Sequence, residues 1–320
     1  MVCALVLPVV RAQEFVNING TIIPLSKVAK IRSSWQEHPN SLSLMLQRDG
    51  RVSLFTEALE ATGWMDSLKC YRDRSYSVGA DSTDWTNDRL VMSTATEYDN
   101  VAYMPQRLIG HTVLAETDSV LSEKYGIGSL DGLKAKAREL YDAVYPEDAA
   151  ITDVTDKRNS LNRFVAYHIL PFSAGYYQLT CVDGPNSTLA ANWNRRKWDI
   201  ADWYETCMPH SIMKFSFPSG RQAGLYVNRR GVQSRPDERG VFVRGAKVAA
   251  PEEMPYDAVI NGYYFYVDDL VAYGENTQGV VLNERMRIDA STLSPDFITS
   301  GARGHYTRFT YENGKYGGWD

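Results

Sequence analysis

The chain has few cysteines, no excess of positive charge and no long apolar run, and each absence excludes a class of protein. Four cysteines in 320 residues, none of them in a CxxC pair, argue against a disulfide-dense scaffold and against a zinc site. A formal net charge of −5 gives no basic surface for nucleic acid. No internal segment approaches the roughly 20 apolar residues of a membrane-spanning helix. We therefore expect no nucleic-acid partner, no transmembrane span and no bound metal.

The sequence also lacks the short motifs that mark common catalytic sites. The serine-hydrolase elbow GxSxG, the phosphate loop GxxxxGK[ST], a GxGxxG motif after a strand and the metalloprotease motif HExxH are all missing. The five histidines are scattered, and none has a second ligand at the spacing of a helical turn or a hairpin. We expect a protein without a cofactor and without catalytic activity.

The first residues combine an apolar run with the small side chains of a signal-peptidase site. Val10 and Ala12 take the −3 and −1 positions of such a site, although no basic residue precedes the run. This pattern predicts a signal-peptide remnant over residues 1–12 and an N-terminal lead segment over 13–39. A buried first strand is the alternative interpretation. A signal peptide implies an extracellular or cell-envelope location, in which Cys3 is a candidate for a lipid anchor.

Helical periodicity dominates the first half of the chain. Apolar positions predict two short helices joined by a turn at Asp49 and Gly50, and Gly63 is a natural stop for the second. A further helix begins after Ser129, which is a good N-cap, and ends before Pro146.

The segment "SLNRFVAYHILP" places a histidine in one of the most apolar runs of the chain. Leu161, Phe164 and His168 share a helical face that Asp156 or Ser160 could cap, and the following "HILP" is β-like. We expect His168 at a junction between a helix and a strand, with its ring directed inward.

Strands dominate the second half. The segments "SIMKFSF", "AGLYVNRRG", "GVFVRGAKVAA" and "NGYYFYVDDLVAY" are short β-rich runs separated by turn residues. Because helices cluster early and strands late, the order predicts an α+β fold. Adjacent residues on a strand point to opposite faces, so we expect Asp268 and Asp269 to be solvated charges and not a catalytic pair.

Two polar segments without sustained periodicity predict insertions, one near 70–100 and one near 182–204. The residues 276–320 predict a linker and the start of a further C-terminal domain. In an oxidising compartment Cys181 and Cys207 could pair, although their spacing does not decide it.

The second insertion is rich in tryptophan and arginine, which predicts a binding surface for a protein or a glycan. The candidate residues of this surface are Trp193, Arg195, Arg196, Trp198, Trp203 and Tyr204. The alternative interpretation is that the rings pack the insertion onto the domain while the basic groups face water.

Several motifs occur in an order that resembles the fasciclin-like domain, in particular that of bacterial surface proteins with long insertions. The motifs are "FTEALEATGWMDSL", "GHTVLAETDSVL" with "GIGSLDGLKAKARELY", "LNRFVAYHILP" and "NGYYFYVDDLVAY". The resemblance covers roughly residues 40–275. Leu114 stands where the family usually has phenylalanine, and Glu116 replaces the usual proline.

The resemblance implies a two-sheet β-sandwich with helices packed along one side, and a non-catalytic role in adhesion or ligand binding. The partners would be extracellular proteins or glycans, and no oligomeric state is implied. The family signature falls on Thr112, Thr117, Asp118, Tyr167, His168, Asn261 and Gly262. We expect His168 to be buried and hydrogen-bonded near Thr117 and Asp118, since an unsatisfied buried imidazole costs about 1 to 3 kcal/mol.

Two other functions remain open at this stage. A glycan-acting hydrolase would need two facing carboxylates from segments that are remote in sequence. A structural subunit of a surface assembly would pair with its neighbours through exposed strand edges or the C-terminal segment.

Overall fold

A computed structural model describes most of the central part of the chain. The described stretches are residues 40–71, 109–176, 178–180, 200–218, 224–231, 240–255 and 259–284, with the backbone of six short strands outside them. The chain divides into two compact units, Met1–His38 and Pro39–Asp320. The predicted signal-peptide remnant over 1–12 and the greater part of both predicted insertions lie outside the described residues.

The first unit contains one antiparallel hairpin. Its strands are β1 (Phe15–Ile18) and β2 (Thr21–Pro24), and they pair along their full length.

The second unit begins with the predicted helix pair. Helix α1 (Leu42–Arg48) and helix α2 (Ser53–Ala61) are joined by the turn that contains Asp49 and Gly50. Gly63 follows α2 with a φ of 79°, a left-handed conformation that favours glycine, so the predicted stop is confirmed. A short third helix, α3 (Trp64–Leu68), follows at once and was not expected from the sequence.

Three longer helices follow, namely α4 (Asp118–Tyr125), α5 (Leu130–Tyr141) and α6 (Ser160–Tyr167). Ser129 caps α5 as predicted, since its hydroxyl accepts the N–H of Gly132 at 3.2 Å.

The N-terminal cap of α6 differs from the prediction. Asn159, and neither Asp156 nor Ser160, caps the helix by accepting the N–H of Leu161 at 2.9 Å. Ser160 is already the first residue of the helix. His168 follows the last residue of α6 directly, so the predicted junction with a strand is confirmed.

A three-stranded sheet lies at the centre of the second unit, with β5 (His111–Glu116) between β11 (Gly262–Val267) and β6 (Ile169–Leu170). The pair β5 and β11 is parallel, while β5 and β6 are antiparallel. All six side chains of β5 are buried, as expected for a central strand that is covered on both faces.

A second sheet is antiparallel and has four strands in the order β10, β9, β8, β7. The strands are β7 (Ile200–Glu205), β8 (Ile212–Phe217), β9 (Tyr226–Val227) and β10 (Ala246–Lys247). The two sheets adjoin where Val248 forms a bridge with Val267 and the N–H of Ala249 donates to Tyr266 O at 2.8 Å.

The remaining regular elements are short. Two hairpins consist of β3 (Met92–Ser93) with β4 (Val101–Ala102), and of β12 (Tyr311–Glu312) with β13 (Lys315–Tyr316). Three-residue 3-10 helices cover Pro146–Asp148, Gln178–Thr180 and Pro251–Glu253, and Thr277–Val281 forms a π-helix.

One apolar core connects the helices to both sheets. Its largest fully buried members include Phe55, Leu114, Tyr141, Phe164, Tyr167, Tyr204 and Phe215. The predicted α+β class is therefore confirmed. Within the described ranges, no helix combines the length and the apolar character needed to cross a membrane.

Candidate functional site

His168 lies at the C-terminal end of α6 with a fully buried ring. Its Nδ1 is 2.7 Å from the carbonyl oxygen of Phe164, and its Nε2 is 2.8 Å from Oε1 of Glu116. The prediction of a buried histidine bonded to the first signature segment is confirmed. Its partner is Glu116, however, and not Thr117 or Asp118, because Glu116 is the last residue of β5 and its side chain points into the core.

The hydrogen bonds of His168 restrict where its protons lie. A carbonyl oxygen can only accept, so Nδ1 must donate to Phe164. Nε2 and Oε1 of Glu116 then share one proton, which is carried by one atom or the other. Oε1 also accepts the N–H of Val271 at 2.9 Å. Glu116 therefore joins the end of β5 to α6 and to the segment that follows β11.

Asn261 immediately precedes β11 and links this strand to helices α1 and α3. Its Oδ1 accepts the N–H of Leu42 at 2.8 Å, while its Nδ2 donates to the carbonyl oxygens of Leu68 and Cys70 at 2.7 and 2.9 Å. The side chain thus satisfies backbone groups at the start of α1 and after α3, which buried backbone requires.

Gly262 lies very close to the backbone of the neighbouring strand in the central sheet. The parallel register sets it beside His111, and its φ is 150°. A Cβ atom added to Gly262 would lie 1.8 Å from the carbonyl oxygen of His111, far inside van der Waals contact. The position therefore requires glycine.

Thr112 and Tyr167 also form buried internal bonds. The hydroxyl of Thr112 donates to Phe172 O at 2.8 Å. The hydroxyl of Tyr167 donates to Ile212 O at 3.1 Å and accepts from Nδ2 of Asn228 at 3.0 Å. Burial raises the pKa of Tyr167 well above its usual range. Both residues hold neighbouring segments against the central sheet.

Thr117 and Asp118 connect two helices at their N-terminal ends. Thr117 is the N-cap of α4. The carboxylate of Asp118 accepts the N–H groups of Ser53 and Leu54 at 3.1 and 2.9 Å, although it lies far from them in sequence. The N-cap residue of α2 itself, Val52, has no side chain that can accept such bonds. Asp118 therefore caps α2 from another helix.

The tryptophan-rich segment differs from its prediction. Trp203 and Tyr204 lie on β7 and expose only 8% and 1% of their surface. The hydroxyl of Tyr204 donates to Leu179 O at 2.9 Å. The prediction that these two residues form an exposed binding surface is wrong, because the strand begins at Ile200 and both side chains pack into the domain. The residues Trp193, Arg195, Arg196 and Trp198 lie outside the described part of the chain.

A cleft of about 290 Å³ lies at the carboxyl ends of the parallel strands β5 and β11. Thr117 follows the first of these strands, and Asp268 follows the second. Its lining consists of Arg51, Thr117, Val120, Lys247, Val248, Ala249, Glu253, Tyr266, Val267 and Asp268. The cleft combines aliphatic walls with charged side chains, which makes it the candidate functional site of the described domain.

Asp268 borders this cleft, and the directions of the Asp268 and Asp269 side chains differ from those expected from the sequence. Strand β11 ends at Val267, and both carboxylates turn towards the same guanidinium, that of Arg244. They do not point to opposite faces, because they follow the strand and do not belong to it. Hydrogen bonding to Asp268 raises the pKa of Arg244 above its usual value. The two carboxylates serve in ion pairs with a neighbouring cation.

On the other side of the cleft, the buried carboxylate of Asp49 holds neighbouring side chains in place. Asp49 accepts the hydroxyls of Tyr264 and Tyr266, and also the N–H of Arg51 at 3.1 Å. The guanidinium of Arg51 lies 4.5 Å from the centre of the Tyr266 ring, within cation–π distance. Burial, together with the hydrogen bond to Asp49, raises the pKa of Tyr266 above its usual range.

The cysteines in the described part do not form a disulfide or a metal site. Cys70 and Cys207 carry free thiols, and Cys181 lies outside the described residues. Burial raises the pKa of the Cys207 thiol to about 12. Within the ranges given above, no group of three or more His, Cys, Asp or Glu side chains is arranged to hold a metal ion.

We expect His111 to make the stability of the domain depend on pH. Burial lowers its pKa to about 4, and its Nδ1 has no hydrogen-bond partner within the described part of the chain. The unfolded chain binds this proton near pH 6.5, so stability falls as the pH is lowered from about 6.5 towards 4. We expect a loss of about 2 kcal/mol between pH 7.5 and 4.5 from this residue, measured by urea unfolding.

The variant His111→Gln is the control for this expectation, since glutamine does not titrate. Its free energy of unfolding should decrease by about 2 kcal/mol less than that of the unmodified chain over the same interval. Equal pH dependence in both chains would show that His111 is not the group responsible.

Comparisons of the chain with known protein families and with curated proteins give no match in either case.

Proposed function

We propose that residues 40–275 form a fasciclin-like domain, a two-sheet β-sandwich with helices along one side, in a non-catalytic protein that binds extracellular proteins or glycans. The main support for the proposal is that the segments of the family signature lie together in the folded domain. The strands β5, β6 and β11 come from three of the four motifs, are remote in sequence and lie side by side in one sheet. Glu116 hydrogen-bonds to His168 and Val271, and Gly262 lies directly against the backbone of His111.

The roles of the signature residues also support a scaffold. Thr112, Asp118, Tyr167, His168 and Asn261 each use their polar groups to bond another segment of the domain. Polar groups that are satisfied internally are not available for a reacting substrate. We therefore infer that these residues stabilise the fold and that ligands bind at other surfaces.

The location and the first candidate surface follow from the sequence. The apolar leader over 1–12 supports an extracellular or cell-envelope location, with Cys3 as the candidate lipid anchor. The proposed surface for a protein or glycan consists of Trp193, Arg195, Arg196 and Trp198. It does not include Trp203 and Tyr204, because both are buried.

A binding array tests this function. The full chain is applied to immobilised glycans and extracellular-matrix proteins, beside a variant with Trp193→Ala and Trp198→Ala. We expect the unmodified chain to bind at least one partner, and the double variant to bind about tenfold or more weakly, as for central aromatic contacts. The control Tyr263→Ala removes an aromatic side chain that is 39% exposed on β11 and should bind normally.

Four outcomes would contradict the proposal or part of it. The absence of any partner would count against a binding protein, and release of reducing sugar from an array glycan would favour the hydrolase. Formation of regular polymers without any other partner would favour the structural subunit. Unchanged binding by the double variant would exclude the tryptophan segment as the surface.

A further inference from the structure

Two cations, Lys247 and Arg51, line the cleft at the ends of β5 and β11. Lys247 forms no ion pair through Nζ with any residue in the described ranges. The side chain of Arg51 is 53% exposed, and only its Nε approaches Asp49, at 3.5 Å. The cation–π contact with Tyr266 holds this guanidinium at the edge of the cleft.

The acidic groups nearest to these cations are already occupied. Asp49 accepts two tyrosine hydroxyls and a backbone N–H, so its charge is shared among several donors. Asp268 is held by the guanidinium of Arg244, and it also accepts the N–H of Lys247 at 2.7 Å. A ligand that brings its own negative charge would complete the hydrogen bonding of Lys247 and Arg51.

The remaining walls indicate what accompanies that charge. Val120 and Ala249 are partly exposed and provide an aliphatic surface, while Val248 and Val267 lie buried behind it. Tyr266 is only 7% exposed and one face of its ring is covered by a guanidinium, so it offers no free aromatic plane on which a sugar could stack. Aliphatic walls without a free aromatic face favour a peptide over a glycan.

We propose that this cleft binds a peptide carboxylate adjacent to an aliphatic side chain, with Lys247 and Arg51 as the binding cations. The inference rests on the proposed ligand-binding function and names a second surface for it. The exposed carboxylate of Glu253 on the rim disfavours a second negative charge. A volume of about 290 Å³ is small for a ligand site and suits the end or a short segment of a peptide.

A peptide can supply the carboxylate from either of two groups, its free C-terminus or an acidic side chain. The full chain is titrated by calorimetry with N-acetyl-Ala-Val-Val bearing a free carboxylate, with the same peptide as its amide, and with N-acetyl-Ala-Val-Asp-Val amide. We expect saturable binding of at least one carboxylate peptide and about tenfold weaker binding of the neutral amide. The carboxylate peptide that binds more tightly identifies the source of the charge.

The variants assign the binding to the cleft. Lys247→Gln and Arg51→Gln should each weaken binding of the carboxylate peptide about tenfold. The matched control Lys134→Gln removes the same charge from α5, where Lys134 is paired with Asp131, and should bind normally. Thermal unfolding of each variant establishes that it is folded before titration.

Other results would overturn the proposal. These are the lack of saturable binding by either carboxylate peptide up to about 10 mM, equal binding of the amide, or unchanged binding in folded Lys247→Gln. An array partner that binds the unmodified chain and Lys247→Gln equally would leave the proposed function in place and exclude only the cleft.

Discussion

Replacing Gly262 with alanine is expected to destabilise the domain by about 4 kcal/mol or more, which is enough to prevent stable folding of many domains. The added Cβ would lie 1.8 Å from the carbonyl oxygen of His111, and this oxygen belongs to the neighbouring strand of the central sheet. Neither backbone can move aside without breaking the parallel pairing of β5 and β11. The measurements are the yield of soluble protein and, where it folds, the free energy of unfolding in urea.

A second glycine separates the steric effect from the backbone conformation. Gly126 has a φ of 67°, but no atom lies within 4 Å of the position that an added Cβ would take. Gly126→Ala should therefore cost only the roughly 1 to 2 kcal/mol of a left-handed alanine. If Gly262→Ala were no more destabilising than Gly126→Ala, the close approach of Gly262 to His111 would not be the controlling feature.

The local parts of the fold could be predicted from the sequence because their causes are local. The turn at Asp49 and Gly50, the stop at Gly63 and the cap at Ser129 each depend on residues within one or two helical turns. The capping of α2 by Asp118 could not be predicted in this way, because donor and acceptor are brought together only by the tertiary fold.

Strand ends and strand burial were harder to predict than helices. Trp203 and Tyr204 are adjacent and both buried, so β7 lacks the alternation of apolar and polar residues that marks a half-buried strand. Asp268 and Asp269 follow five aromatic or aliphatic strand residues, and nothing local places the end of β11 before them. In both cases packing between distant segments decides the outcome.

The candidate cleft was missed for the same reason. Arg51 follows a turn and Lys247 lies on a two-residue strand, and each is an ordinary surface charge when the sequence is considered alone. Their neighbours Asp49 and Asp268 gained importance only through hydrogen bonds to remote residues.

Replacing Glu116 with alanine is expected to destabilise the domain by about 3 to 5 kcal/mol, the usual cost of removing one member of a buried ionisable pair. The carboxyl group is fully buried, and its Oε1 serves both Nε2 of His168 and the N–H of Val271. Without it, both groups are left unsatisfied in the core and a cavity forms beside them. Urea unfolding at pH 7.5 measures the loss.

The variant Glu116→Gln tests whether the double role of Oε1 is the cause. An amide oxygen at this position accepts the N–H of Val271 but cannot donate to a neutral His168, whereas an amide nitrogen does the reverse. One hydrogen bond is therefore lost in either orientation, and we expect a cost of about 1 to 3 kcal/mol. Glu123→Ala, which removes an exposed carboxylate from α4, should change stability by no more than about 0.5 kcal/mol. If Glu116→Gln were as stable as the unmodified chain, then one hydrogen bond from residue 116 would suffice, and the double role of Oε1 would not be the cause of the loss in Glu116→Ala.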